Sequence, residues 1–129
     1  MAVLGDWTKI VGDTNERIGD PHQSKTFKFP TGGRRSIGDS YISLMVKGMT
    51  VTSNHAQVKL NGKNVGVIFN NKGGRVNEWQ NQIINFVSSD LNNGDNLLEI
   101  SSVTYAGSGE DHFDDFFVRS VICHFHQHS

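Results

Sequence analysis

Three alternating histidines, one crowded acidic loop and a tryptophan among amides are the groups in this sequence whose types and spacing could do chemistry. His124, His126 and His128 stand at i, i+2 and i+4, so on an extended strand they share a face. There two imidazoles could chelate a transition metal, and a third would improve the site. The plainer role is an exposed polar strand face running into a frayed terminus, where any metal would be incidental. The loop at 110–115, EDHFDD, offers Asp111, Asp114 and Asp115 to Ca2+, a hard cation that takes six to eight oxygens. Its spacing is not that of an EF-hand, and a solvated turn capping backbone N–H groups competes with it. Trp79 follows the polar loop at 70–78, with Asn77, Gln80 and Asn81 around it. An aromatic face at a loop edge can pack on the CH groups of a sugar while amides bond its hydroxyls, and the competing role is burial in a core. His55, at a loop-to-strand boundary, could meet a ligand or serve as a hydrogen-bonded strut. Arg34 and Arg35 beside Gly32-Gly33 could grip a carboxylate or phosphate, but no phosphate-loop pattern accompanies them.

Catalysis finds little support. No serine sits in a Gly-x-Ser-x-Gly elbow. Cys123 falls mid-strand, on the face opposite the histidines, a poor place for a nucleophile. Asp114 and Asp115 are adjacent and point to opposite faces of a strand, so a glycosidase carboxylate pair is not expected.

The elements that must position these groups read as strands. In QVKLNGKNVGVIF, 57–69, Val58 and Leu60 alternate with polar neighbours, and Asn61-Gly62 supplies the two positive-φ residues of a type I′ turn. Val65, Val67 and Phe69 are expected to resume the inward alternation. A central strand at 40–49 should bury Ile42, Leu44 and Val46. Further strands are expected at 8–11, at 26–29 before Pro30, at 79–87 with an irregularity, and at 97–105 with a shift of register between Ile100 and Val103. In the last strand, 114–127, Phe116 and Val118 occupy one phase and Val121, Cys123 and Phe125 the next. One extra residue near Arg119-Ser120, a β-bulge, would bring both sets onto the core. The stretch at 12–24 reads as a long exposed loop. No segment sustains a 3.6-residue period, so an all-β antiparallel sandwich is expected.

Composition narrows the class. Twelve basic and thirteen acidic residues give a net charge of −1, so no bulk pull toward nucleic acid or anionic membrane is expected. One cysteine in 129 residues leaves no intrachain disulfide, which fits a reducing cytoplasm. The start, MAVLGDW, has neither a basic n-region nor an apolar h-region, so no secretory signal is expected. No apolar run approaches the length of a membrane span. A single domain over 1–129 accounts for the length.

Two stretches carry a family resemblance. Asn61-Gly62, Val65-Gly66, Leu91 with Gly94, Asn96 and Leu98, and Asp114-Asp115-Phe116 follow an order similar to the jelly-roll β-sandwich of galactose-binding-domain-like modules. These include the sandwich domains that accompany glycoside hydrolases, many carbohydrate-binding modules, and small stand-alone bacterial proteins of the same pattern. The resemblance covers roughly 41–125 and implies a fold, with a structural calcium as a common companion. It implies a non-catalytic, lectin-like carbohydrate-binding module. The alternative is a structural or assembly subunit that uses its strand edges and the Tyr41/Met45 face to form homo-oligomers or to dock on a larger complex.

Overall fold

In the computed structural model, residues 3–19, 24–31, 38–49, 55–69, 78–104, 113–114 and 116–128 are described. Their strands are β1 (Val3–Val11), β2 (Glu16–Ile18), β3 (Ser24–Pro30), β4 (Asp39–Lys47), β5 (Ala56–Leu60), β6 (Lys63–Ile68), β7 (Gln80–Val87), β8 (Asp95–Ser101), β9 (Val103–Thr104), β10 (Phe113–Asp114) and β11 (Phe116–His128). One sheet runs β1-β11-β4-β7, with β2 also on β11; the other runs β3-β8-β5-β6. Every pairing is antiparallel.

The two sheets close on one apolar core. Ile42, Leu44, Val46, Ile84, Phe116, Val118 and Cys123 from the first sheet meet Phe29, Val58, Leu60, Ile68, Leu98 and Ile100 from the second, all buried. β11 is the spine of its sheet. Its register against β4 slips between Arg119 and Ile122, and Ser120 takes φ 52°. The N–H of Ser120 donates to the Gly12 carbonyl at 2.7 Å, where β1 ends and β2 takes over along the same edge. This is the expected bulge, and both apolar phases of β11 are buried through it. The Asn61-Gly62 turn also forms as expected, with φ 52° and 84°. The break after Ile100 falls at Ser102, between β8 and β9, and Val103 returns to the core.

Four expectations are corrected. β1 begins at Val3, well before Thr8, because its outward residues include Trp7 and its inward ones the polar Thr8, which hides the alternation. A short strand, β2, interrupts the supposed loop and buries Ile18 against β11; three residues are too few to show a period. In β6 the phase flips. The register slips between Val58 and Lys59, so Val65 packs against the core but Gly66 and Ile68 point inward after it, and Phe69 is left 60% exposed. A Cβ on Gly66 would come within 2.9 Å of the Ile84 side chain, so only glycine lets β6 approach β7 there. Finally, β7 pairs with β4 without irregularity. Its inward positions are Gln80, Gln82, Ile84 and Phe86, half of them polar, which is why no clean period is visible. Gln82 closes the seam between the sheets, accepting from the Phe69 N–H at 2.7 Å and donating to the Phe69 carbonyl at 3.1 Å.

Burial pushes the Cys123 thiol up from 9.0 to about 12. The fold thus favours the neutral thiol. The stability this brings is complete below pH 9.0 and is lost as pH rises toward 12, where the unfolded chain would already be ionised. Urea unfolding should give a stability lower by about 1 kcal/mol at pH 10 than at pH 8 from this group alone. That slope should be absent in Cys123→Ala, and native protein should resist thiol reagents that label it in urea.

Candidate functional site

The outward face of the β1-β11-β4-β7 sheet is where exposed aromatic and polar side chains gather. Outward positions alternate with core positions on every strand, and register sets them in rows. One row runs Trp7, His124, Tyr41, Asn85 across all four strands, each pair directly opposed. Trp7 is 62% exposed and Tyr41 39%. The His124 ring stacks on Tyr41 with centroids 4.3 Å apart and planes 15° from parallel, and its Nε2 lies 3.2 Å from the Ser43 hydroxyl. Stacking and hydrogen bond together fix the ring, so Tyr41 and His124 form a rigid wall.

Beside that wall lies an open groove of about 230 Å³, lined by Gly5, Asp6, Trp7, Asp39, Tyr41, His124, Phe125 and His126. Gly5 has extended backbone, and a Cβ there would meet nothing within 4 Å. Its missing side chain is what keeps the groove open between Trp7 and His126. The Asp6 carboxylate accepts the Trp7 N–H at 2.8 Å.

The residues singled out from sequence are placed as follows. Trp79 precedes β7 at the far end of the same face and is half-buried. The Arg119 guanidinium sits 4.1 Å above its ring and the Lys47 ammonium 5.7 Å away, a cation–π arrangement that occupies the ring. Asn81 is exposed on this face, whereas Gln80 turns inward. His55 is exposed before β5, its ring edge-on to Phe69 at 5.2 Å. His124 and His126 share the outward face, with His124 engaged by Tyr41 and Ser43. Among the described residues no three His, Cys, Asp or Glu side chains gather to hold a metal. Arg34, Arg35, Asn77, Asp111 and Asp115 lie outside the described residues, as do the side chains of Asp114 and His128.

Sequence reasoning did not single out Trp7 or Gly5 as site residues. The signal was available in Gly5-x-Trp7-x-Lys9, an alternation whose outward member is an aromatic.

No protein-family model and no curated protein sequence matches the chain. Solved structures do. A family 35 carbohydrate-binding module from Clostridium thermocellum superposes with a TM-score of 0.55 at 10% identity, covering 93% of this chain and 98% of that one. The fold is the jelly roll of carbohydrate-binding modules. The same jelly roll appears in the CBM36-1 domain of a multidomain xylanase from the hindgut metagenome of Trinervitermes trinervoides, with a TM-score of 0.51 and 11% identity over 93% of this chain and 96% of that one. A β-porphyranase of glycoside hydrolase family 86 from the human gut bacterium Bacteroides plebeius gives a TM-score of 0.60 at 18% identity. That match covers 98% of this chain but only 21% of the porphyranase, so the jelly roll described here spans about a fifth of that enzyme.

Proposed function

We propose that this jelly roll is a non-catalytic carbohydrate-binding module whose contact surface is the groove beside Trp7. The observation that carries this reading is a tryptophan 62% exposed next to the Tyr41–His124 stack, over space that Gly5 leaves empty. An exposed aromatic face packs on sugar CH groups, and the outward Asp39 and His126 side chains beside it can bond hydroxyls. The fold is shared with a family 35 carbohydrate-binding module and with the CBM36-1 domain of a xylanase, which supports the class of ligand. The buried thiol, pushed up to about 12, is no nucleophile at neutral pH.

Affinity electrophoresis against a panel of soluble polysaccharides tests this. At least one should retard the wild-type chain, and Gly5→Phe should abolish the retardation. The phenyl group fills the groove without touching the core, so melting should stay near wild type. Retardation unchanged in Gly5→Phe would place binding elsewhere.

A second reading, an assembly subunit, draws on Phe69, Ile83 and Val87, which are 60%, 53% and 47% exposed. Phe69 and Ile83 flank the seam between β6 and β7. Light scattering decides it: self-association that Ile83→Lys abolishes would support this reading, and a strict monomer at high micromolar concentration would retire it.

A further inference from the structure

Asn-Gly, the dipeptide whose side-chain amide is most easily attacked by the next backbone nitrogen, occurs twice in the chain, at 61–62 and 93–94. Asn61 and Gly94 both belong to a hydrogen-bonded clamp between the β5–β6 turn and the β7–β8 connection. We propose that Asn61 is a site of spontaneous deamidation, that the clamp holds the reaction back, and that the product cannot re-enter the clamp.

The attacking side is open. Gly62 is exposed, and a Cβ there would meet nothing within 4 Å, so water reaches this part of the backbone. The leaving group is not open. Asn61 Nδ2 donates to the Asp90 carbonyl at 2.8 Å and to Asn96 Oδ1 at 2.9 Å, and Asn61 Oδ1 accepts the Leu97 N–H at 2.9 Å. In deamidation the Gly62 nitrogen gives up its proton to solvent and bonds to Asn61 Cγ. The Cγ–Nδ2 bond then breaks, and the amide nitrogen gains a proton and leaves as ammonia. Water opens the resulting cyclic imide to aspartate or isoaspartate. Both partners of Nδ2 are carbonyl oxygens, which hold the amide but have no proton to give it. Reaction therefore waits for the clamp to open, and its rate follows the open population.

The same geometry shuts the product out. Aspartate at this position turns two donated hydrogen bonds into a carboxylate facing two acceptors, the Asp90 carbonyl and Asn96 Oδ1. The Lys63 ammonium on this turn is already held by the Asp90 carboxylate at 2.9 Å. Isoaspartate adds a backbone atom to a turn built on φ 52° and 84°, which disturbs the register of β5 and β6.

Mildly alkaline incubation of the whole chain, folded or unfolded in guanidinium chloride, followed by peptide mapping in a mass spectrometer, tests this. Conversion at Asn61 should be at least roughly ten-fold slower in the folded chain than in the unfolded one. In Asn96→Ala protein that keeps the native circular dichroism spectrum, conversion should speed up roughly three-fold or more, because Nδ2 has lost one of its two acceptors. Asn61→Asp, which carries the product's side chain, should unfold at a lower denaturant concentration than the wild type. Equal rates in the folded and unfolded chains, no acceleration in folded Asn96→Ala, or a wild-type midpoint for Asn61→Asp would each overturn the inference. The comparison of folded with unfolded wild type needs no variant, so it decides the question even if Asn96→Ala does not fold.

Discussion

Trp7→Ala should weaken carbohydrate binding roughly thirty-fold while leaving the fold intact. The indole is 62% exposed and stands on the outward face of β1, so removing it takes little from the core. Exposed substitutions of this kind change stability by about 0.5 kcal/mol or less. The binding cost is of another size. A sugar ring seated on an indole removes apolar area from water at about 25 cal/mol per Å², so the loss should be about 2 kcal/mol, or roughly thirty-fold in Kd. Tyr41→Ala should lose less in direct contact, but it also frees His124 from its stack, so its deficit should fall mainly in the ordering of the site. Trp79→Ala is the informative comparison. Its ring carries the Arg119 guanidinium at 4.1 Å, so its replacement should cost stability, about 1 kcal/mol, and leave glycan affinity within two-fold or so. Calorimetric titration and urea unfolding of the three variants separate these outcomes. If Trp79→Ala loses binding and Trp7→Ala retains it, the groove beside Trp7 is not the site.

How much of this was legible from the sequence differs by element, for physical reasons. The bulge in β11 was legible because two apolar phases occur in one strand, Phe116 and Val118 against Val121, Cys123 and Phe125, and one extra residue is the economical way to bury both. The hairpin turn was legible because Asn-Gly is the pair that most readily takes two positive φ values. The β6 phase was not. A register slip beside Val65 leaves no trace in residue type, since Val65, Val67 and Ile68 are all apolar. β7 was obscured because Gln80 and Gln82 hold inward positions, and Gln82 does so to bond the backbone of Phe69 across the seam. The candidate site was obscured for a related reason. Apolar residues in an alternating strand are read as the buried set, and in β1 that rule points Trp7 the wrong way. Trp79 drew attention through its polar neighbours in sequence, yet register places it at the opposite end of the face from the groove, beneath Arg119 and Lys47. Cross-strand register, which decides which side chains meet, is written in pairs of distant strands and not in any one of them.

The same dependence on distant partners predicts a large loss of stability from one polar side chain, Asn96. Its side chain is 2% exposed and ties three segments together at one end of the sandwich. The carbonyl oxygen accepts from Asn61 Nδ2 at 2.9 Å and from the Asn92 N–H at 2.7 Å. Its amide donates to the Gly94 carbonyl at 3.0 Å. Asn61 in turn donates to the Asp90 carbonyl and accepts from the Leu97 N–H, so the hairpin turn is clamped to the β7–β8 connection. Thr31 extends the network, its hydroxyl donating to the Asn92 carbonyl at 2.9 Å. Asn96→Ala would leave the Asn61 amide and the Asn92 N–H with a lost acceptor in a site of low exposure. The bonds lost with the buried Asn96 amide make the expected destabilisation about 3 kcal/mol, a fall in Tm of roughly 12 °C for a domain of this size. Asn61→Gly keeps the positive φ of the turn and deletes only the side chain, so it should cost about 2 kcal/mol. Because both residues serve one network, the double variant should lose at least 1 kcal/mol less than the two separate losses added together. Urea unfolding of the wild type, the two single variants and the double variant measures that coupling. Simple additivity would mean that Asn61 serves only the turn and that the two ends of the clamp act independently. Carbohydrate affinity provides the internal control. The groove lies on the outward face of the other sheet, so folded Asn96→Ala protein should bind glycans as the wild type does.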